Sequence, residues 1–287
     1  MKTNSVETRV ATAKEVDLLI SWAKREGWNP GVDDAAMFYA VDQSGFFVTL
    51  LEGKPIAGIS VVKLNTDHAF LGLYLCKPEH RGKGYGLQTW KTAIDSVGRR
   101  SIGLDGVVAQ QSNYAQQHFI HSHRNVRFSG KLSRNVFKTS GNKPTIVEAS
   151  DIHFNALLSY DAAIGGLKRK TYYQAWLKNR TYRHTFLAFQ NNAIIGAIGI
   201  RQCVNNFKIG PWLADDGCIA EVLLNHACKW SGFESFTVDV PEPNSVAMDM
   251  VVQFDLSPIF ETARMYRGDK PDMKINNLFG VATLELG

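Results

Sequence analysis

The 287-residue sequence is poor in cysteine. Its four cysteines, Cys76, Cys203, Cys218 and Cys228, are widely scattered. They cannot form a disulfide framework, and no Cys-x-x-Cys pair is there to seed a zinc site. His121 and His123 lack a third ligand at useful spacing, so no metal centre is expected. Reduced thiols in a cytoplasmic protein are the expectation. Long apolar runs are also missing. The stretch Ile194 to Ile200 is broken by glycine, far short of the ~20 residues that cross a bilayer. The first ten residues are polar and carry no apolar secretory core. No membrane partner is expected. An excess of one charge is lacking too: 32 basic against 27 acidic side chains leave a net charge of +5. That is too mild for a nucleic-acid surface, and it suits a polyanionic small ligand. The densest basic run, Lys168-Arg169-Lys170, reads as a solvated helix start. With 45% hydrophobic and 21% charged residues, the chain can build a packed core. Its length allows one large domain or two ordinary ones.

The informative segment is Arg81-Gly82-Lys83-Gly84-Tyr85-Gly86, between an apolar run (Phe70 to Cys76) and a helical pattern from Leu87. A strand that turns through such a loop into a helix can hold a phosphate. Glycines let the backbone come close and take positive φ. The first amides of the helix have no intrahelical partner, and the helix dipole favours an anion there. The loop is not the Gly-x4-Gly-Lys-Ser/Thr loop of nucleotide hydrolases, since no hydroxyl follows to hold Mg²⁺. Nor is it Gly-x-Gly-x-x-Gly, because the glycines fall at 82, 84 and 86.

The stretch LYLCKPEHRGKGYG resembles the pyrophosphate loop of the GCN5-related N-acetyltransferases (GNAT), a strand followed by Pro-Glu-x-Arg-Gly-x-Gly-x-Gly and a helix. The resemblance implies that the amides of Arg81, Gly82, Lys83, Gly84, Tyr85 and Gly86 bind the diphosphate of acetyl-CoA. It also implies that the strand before them, at Tyr74, Leu75 and Cys76, pairs with the pantetheine arm.

Element patterns extend the likeness. Strands are expected at Glu7 to Ala11, Phe46 to Leu51, Ile56 to Leu64, Ala69 to Cys76, Ser101 to Val108 and Asn125 to Ser129. Helices are expected from the capping box Thr12-Ala-Lys-Glu15 to about Glu26, from Asp33 to Asp42, from Leu87 to Val97, and over a short stretch from Ser112 to Phe119. A polar linker, Phe137 to Pro144, follows, and the order then restarts. Strand, helix, helix, a hairpin around Asn191-Asn192, strand, helix and strand run from Thr145 to Val240. In place of a glycine loop, Leu213 is followed by Ala-Asp-Asp-Gly, whose aspartates repel a diphosphate. Glu242-Pro-Asn244-Ser-Val-Ala247, IGPWLADD and ETARMYRG are similar to the C-terminal half of a bacterial group of two-domain acetyltransferases. The expected class is α/β (α+β), with tandem GNAT-like folds, each a mixed, mostly antiparallel twisted sheet flanked by helices. Residues 1–138 form the acetyl-CoA domain, and residues 144–287 form a GNAT-like domain without the loop.

Acetyl transfer to an amine needs a polarised thioester, a neutral amine, a proton for the departing thiolate, and alignment. For the acid, Tyr114 stands in YAQQHF, which resembles the family's Tyr-x-x-x-Gly-Phe with His118 in the glycine position. A phenol stays protonated at neutral pH and can donate to a thiolate; otherwise the ring serves packing. For the base, Asp105 is the nearest carboxylate, with His68, Glu79 or ordered water as alternatives. Trp28, Asn29 and Tyr39 are candidates for the acceptor wall. The second half is expected to pack against the first and to complete that wall through Glu261, Thr262, Arg264 and Tyr266. The reading is an N-acetyltransferase acting from acetyl-CoA, without metal, on a primary amine of a small molecule or peptide. A non-catalytic acetyl-CoA sensor and an enzyme for longer acyl-CoA are the alternatives.

Overall fold

The computed structural model describes residues 5–131, 144–178, 181–233 and 235–287. The expected linker lies outside the described residues apart from Pro144. In the first half the order is β1 (Val6–Val10), α1 (Ala13–Arg25), α2 (Asp34–Val41), β2 (Phe46–Leu51), β3 (Lys54–Lys63), β4 (His68–Cys76), α3 (Tyr85–Asp95), β5 (Ser101–Val107), α4 (Gln111–Gln116) and β6 (Ile120–Lys131). The second half repeats it as β7 (Thr145–Glu148), α5 (Phe154–Gly165), α6 (Lys170–Lys178), β8 (Arg183–Gln190), β9 (Ala193–Gln202), β10 (Phe207–Ala214), α7 (Gly217–Ser231), β11 (Ser235–Pro241), α8 (Ser245–Gln253) and β12 (Ser257–Arg267), followed by β13 (Leu278–Gly280).

Local chemistry starts these elements where the sequence indicates. Thr12 caps α1 through a reciprocal box, with the Thr12 amide donating to Glu15 Oε2 at 2.8 Å. Val16, Leu19, Trp22 and Ala23 recur at helical spacing and are buried. The hairpin between β8 and β9 turns on Asn191 and Asn192, both at positive φ, which asparagine tolerates better than most residues.

Among the described residues the strands make one continuous sheet, in the order β1-β2-β3-β4-β5-β12-β6-β11-β10-β9-β8-β7, with β13 on β10. The two halves are interleaved at the middle. The strand β12 enters the first half between β5 and β6, pairing Arg264 with Asp105 and Glu261 with Val126. In exchange, β6 runs beside β11 from Asn125↔Pro241 to Lys131↔Ser235. Its partners on both sides hold β6 over 12 residues, more than the five expected from sequence.

Three apolar clusters cover this sheet. One sits under α3 and α4 and contains Trp90, Ala93, Ile94 and Tyr114. A second lies under α7 and α8 around Trp212, Leu223 and Phe279. The third spans the halves, packing Leu19 and Phe38 with Tyr172 and Trp176. Buried charge crosses the same junction. Asp34 receives Arg201 at 2.6 Å and Arg183 at 3.2 Å. No helix is long and apolar enough to cross a membrane among the described residues.

Candidate active site

The site begins where β4 and β5 part. These strands run parallel and pair only from His68↔Ser101 to Leu71↔Leu104. Beyond that point β4 carries a bulge. Gly58 pairs with Leu75 and Ser60 with Gly72, so Leu73 and Tyr74 oppose Ile59 alone. Leu73 sits at φ 46°, a conformation uncommon for a bulky residue. A bulge bends its strand and re-aims side chains, and here an opening lies between the two strands. A pocket fills that opening. Gly72, Leu73 and Tyr74 come from one strand, Leu104, Asp105 and Val107 from the other. Tyr114, Trp28 and Arg127, with Phe260 and Thr262 of β12 and Leu284 and Glu285 of the C-terminal segment, complete it.

At the far end of β4 the chain passes through a single turn, Pro78–His80, into the glycine loop. Gly82 and Gly84 lie at φ 74° and 84°. A Cβ at either would meet no atom within 4 Å, so the backbone conformation rather than crowding calls for glycine there. Gly86 differs, because a Cβ there would stand 2.9 Å from the Tyr74 hydroxyl. Gly84 is the N-cap of α3 and offers no side chain to its first amides. The first amides of a helix have no intrahelical partner, so this uncapped start could hold an anion. The Arg81 Nε donates to the Cys76 carbonyl at 2.9 Å, and its Nη2 meets Glu26 at 2.5 Å. Lys83 Nζ donates to the Glu79 carbonyl at 2.8 Å. Leu75 points into the core between the halves.

Tyr114 reaches the pocket from α4. Its ring stacks on Trp90 at 5.7 Å. Burial raises its pKa above the usual phenol value, with neighbouring Tyr74 adding to the effect, so the hydroxyl holds its proton at neutral pH. His118 ends α4 at φ 65°, the left-handed position that glycine would hold at less cost. The chain still closes the turn, with the Phe119 amide donating to the Tyr114 carbonyl at 3.1 Å.

The second half has the same parting of strands, but it is filled. β10 and β11 pair in parallel only from Phe207↔Phe236 to Ile209↔Val238. β13 then lies against β10, with Trp212↔Gly280 and Leu213↔Leu278, and the Val281 amide donates to the Asp239 carbonyl at 2.9 Å. Asp216 caps α7 by accepting from the Ile219 amide at 2.9 Å. Asp215 receives the Tyr160 hydroxyl at 2.9 Å.

Two family models match the chain, the acetyltransferase (GNAT) family over residues 14–123 and an acetyltransferase (GNAT) domain over residues 157–280. The chain belongs to the GNAT family. Relatives agree along its whole length. A holothin acyltransferase from Pseudoalteromonas sp. (strain SANK 73390) is 28% identical, over 98% of this chain and 94% of that protein. A Pyrococcus horikoshii protein named as a candidate acetyltransferase superposes with a TM-score of 0.82 at 21% identity, covering 100% of this chain and 98% of the other. A tandem GNAT protein of the clavulanic acid biosynthesis pathway superposes with a TM-score of 0.64 at 10% identity, over 92% and 98%. The last two likenesses establish the tandem GNAT fold alone.

GNAT proteins take an acyl-CoA as co-substrate, and the predicted residues can be placed on that frame. Tyr74, Tyr114, Asp105 and Trp28 come together at one pocket. Asp105, however, is held on both oxygens by Arg264, at 2.8 and 2.7 Å, and on Oδ1 by Asn125 at 2.8 Å. Arg264 is spent in that pair, over the Phe70 ring, and with Tyr266 lines a separate cavity between the halves. Asn29 clips the second half instead, exchanging two hydrogen bonds of 2.8 Å with the Asn205 backbone. Tyr39 packs on Phe46, away from the pocket. Glu261 faces outward and joins Glu242 around Arg124. Of the four β12 residues named from sequence, Thr262 is the one at this pocket. Sequence reasoning missed Phe260, Arg127 and Glu285. Two of these come from the second half of the chain, and strand alternation alone could not show that β12 crosses over. Among the described residues no cluster of His, Cys, Asp or Glu could hold a metal ion.

Proposed function

We propose that the chain is an N-acetyltransferase that moves an acetyl group from acetyl-CoA to a primary amine of a small molecule by direct attack. The opening between β4 and β5 carries this reading, because it joins an unfilled strand edge, an uncapped helix start and a buried phenol in one place. Pantetheine would lie along β4 at Tyr74, Leu75 and Cys76, replacing the pairing that β5 gives up after Leu71. The diphosphate would sit on the loop Arg81 to Gly86. Tyr114 would give its proton to the departing thiolate. We place these functions in a unit of residues 1–138, with residues 144–287 as a GNAT-like partner that binds no CoA and supplies Phe260, Thr262 and Glu285 to the acceptor wall. The relative named for holothin supports a small-molecule acceptor. The four cysteines are unpaired, in keeping with a cytoplasmic enzyme.

The test is an amine panel with acetyl-CoA, read through the free CoA thiol, and the same panel with longer acyl-CoA donors. Amine-dependent thiol release, fastest from acetyl-CoA, is expected. Acetyl-CoA binding without release to any amine would overturn the enzymatic reading, and a faster longer donor would overturn the acetyl assignment.

A further inference from the structure

Two carboxylates face the proposed acyl-transfer pocket, and they differ in what is left for a substrate. Asp105 has a fully buried side chain, and Arg264 and Asn125 already occupy its oxygens. Glu285 is 6% exposed and lines the same pocket as Tyr114 and Tyr74. Its Oε2 is buried and takes no hydrogen bond among the described residues. A buried acceptor left without a donor is costly and calls for a partner.

The structure holds Glu285 in place. Gly72 gives it room, since a Cβ there would come 2.4 Å from the Glu285 carbonyl oxygen. Its neighbours are tied on both sides: the Leu286 amide donates to Thr283 Oγ1 at 2.9 Å, and the Gly287 carbonyl accepts from Arg169 at 2.5 Å. Charged groups around it come from several strands. Arg127 on β6 is paired with Asp239 of β11 at 2.6 Å, and Arg201 on β9 with Asp34 of α2 at 2.6 Å. Lys208 on β10 donates to the Trp28 carbonyl at 3.1 Å. Burial, with Arg127 and Arg201 nearby, lowers its pKa. None of these cations hydrogen-bonds the Glu285 Oε2.

We propose that Glu285 is the catalytic carboxylate that receives the acceptor's ammonium group in this pocket and takes its first proton. The inference rests on the acyl-transfer reading above. Glu285 Oε2 accepts one proton from R–NH₃⁺, leaving the neutral amine. The nitrogen attacks the thioester carbonyl, the N–C bond forms and the C–S bond breaks. The Tyr114 proton goes to the sulfur, and the second nitrogen proton restores the phenol. Glu285 then returns its proton to solvent. The acceptor class is thus a cationic primary amine, with its apolar or aromatic part against Trp28 and Phe260.

Wild type, Glu285→Gln and Glu285→Asp are compared with acetyl-CoA and the amine panel from pH 5.5 to 9.5. Glu285→Gln should lose roughly 100-fold or more in kcat/KM, regain rate as rising pH supplies free amine, and keep its acetyl-CoA affinity and Tm. Glu285→Asp should recover part of the loss. An unchanged rate and pH profile in Glu285→Gln would overturn the assignment. So would a loss of Tm and acetyl-CoA affinity together with an unaltered profile, which marks a structural role. Wild type that fails to bind acetyl-CoA in calorimetry overturns the parent reading first. Should wild type bind acetyl-CoA yet acylate no amine, carboxyl ¹³C NMR with n-propylammonium chloride decides. A Glu285 signal moved by n-propylammonium and not by n-propanol supports the role, and an unmoved signal overturns it.

Discussion

The two halves of this chain solve one structural problem in opposite ways. Each has a pair of parallel strands that part after a few residues, four pairs for β4 and β5 and three for β10 and β11. Parting leaves backbone amides and carbonyls without ladder partners, and such groups must be satisfied somewhere. In the second half the chain satisfies them itself. β13 fills the gap, Asp216 caps the helix that follows, and Asp215 bonds Tyr160. In the first half the gap stays open, and a glycine stands where a cap would be. On the proposed reading, the same architecture is a scaffold where it closes on itself and a binding site where it does not. What separates the two is some six loop residues and a three-residue strand.

Filling should matter most to stability on the closed side. Phe279 is 1% exposed and packs on Trp212 at 5.6 Å. Phe279→Ala should cost about 3–5 kcal/mol in denaturant unfolding while acetyl-CoA affinity measured at low temperature is unchanged. A shifted affinity at equal folding would show that the closed side is not merely a scaffold. Next in size is the open side. Gly84→Asp puts a carboxylate where the diphosphate is proposed to sit, and calorimetry should show acetyl-CoA affinity falling by at least roughly 100-fold, about 2.7 kcal/mol. Equal affinity would move the anion site elsewhere. Tyr114→Phe should lower kcat roughly ten- to a thousand-fold with acetyl-CoA affinity unchanged; full turnover would remove the phenol from the reaction. The smallest effect is expected at the closed helix start. Asp216→Ala removes the cap of α7 and should cost about 0.5–2 kcal/mol, and because Asp215 remains it should not create a CoA site. Acetyl-CoA binding gained by this variant would mean that one carboxylate was all that kept the second half empty.

Much of this contrast was legible in the sequence, because it is written locally. The loop Arg81 to Gly86, the capping box at Thr12 and the Ala-Asp-Asp-Gly of the second half are each short patterns with a direct physical meaning. The unreadable parts depend on distant pairing. That β12 crosses between β5 and β6 follows from no residue in ETARMYR, since alternation gives two faces and does not say which strand lies beside them. For the same reason Asp105 reads as a free carboxylate until Arg264, 159 positions away, is found against it. Asn244 stands in a short sequence motif, yet its role as the N-cap of α8, accepting from the Ala247 amide at 3.0 Å, depends on where that helix starts. The C-terminal segment is the least legible part of the sequence. It has no periodicity long enough to show that it fills one opening with Leu278 to Gly280 and walls the other with Glu285.

On the proposed function, one half is open to an acyl-CoA and the other is closed by its own chain. Titrating the full-length protein with acetyl-CoA in a calorimeter tests this directly through the stoichiometry. One molecule should bind per chain, and that binding should be lost in Gly84→Asp. Two molecules per chain, or one that survives Gly84→Asp, would contradict it.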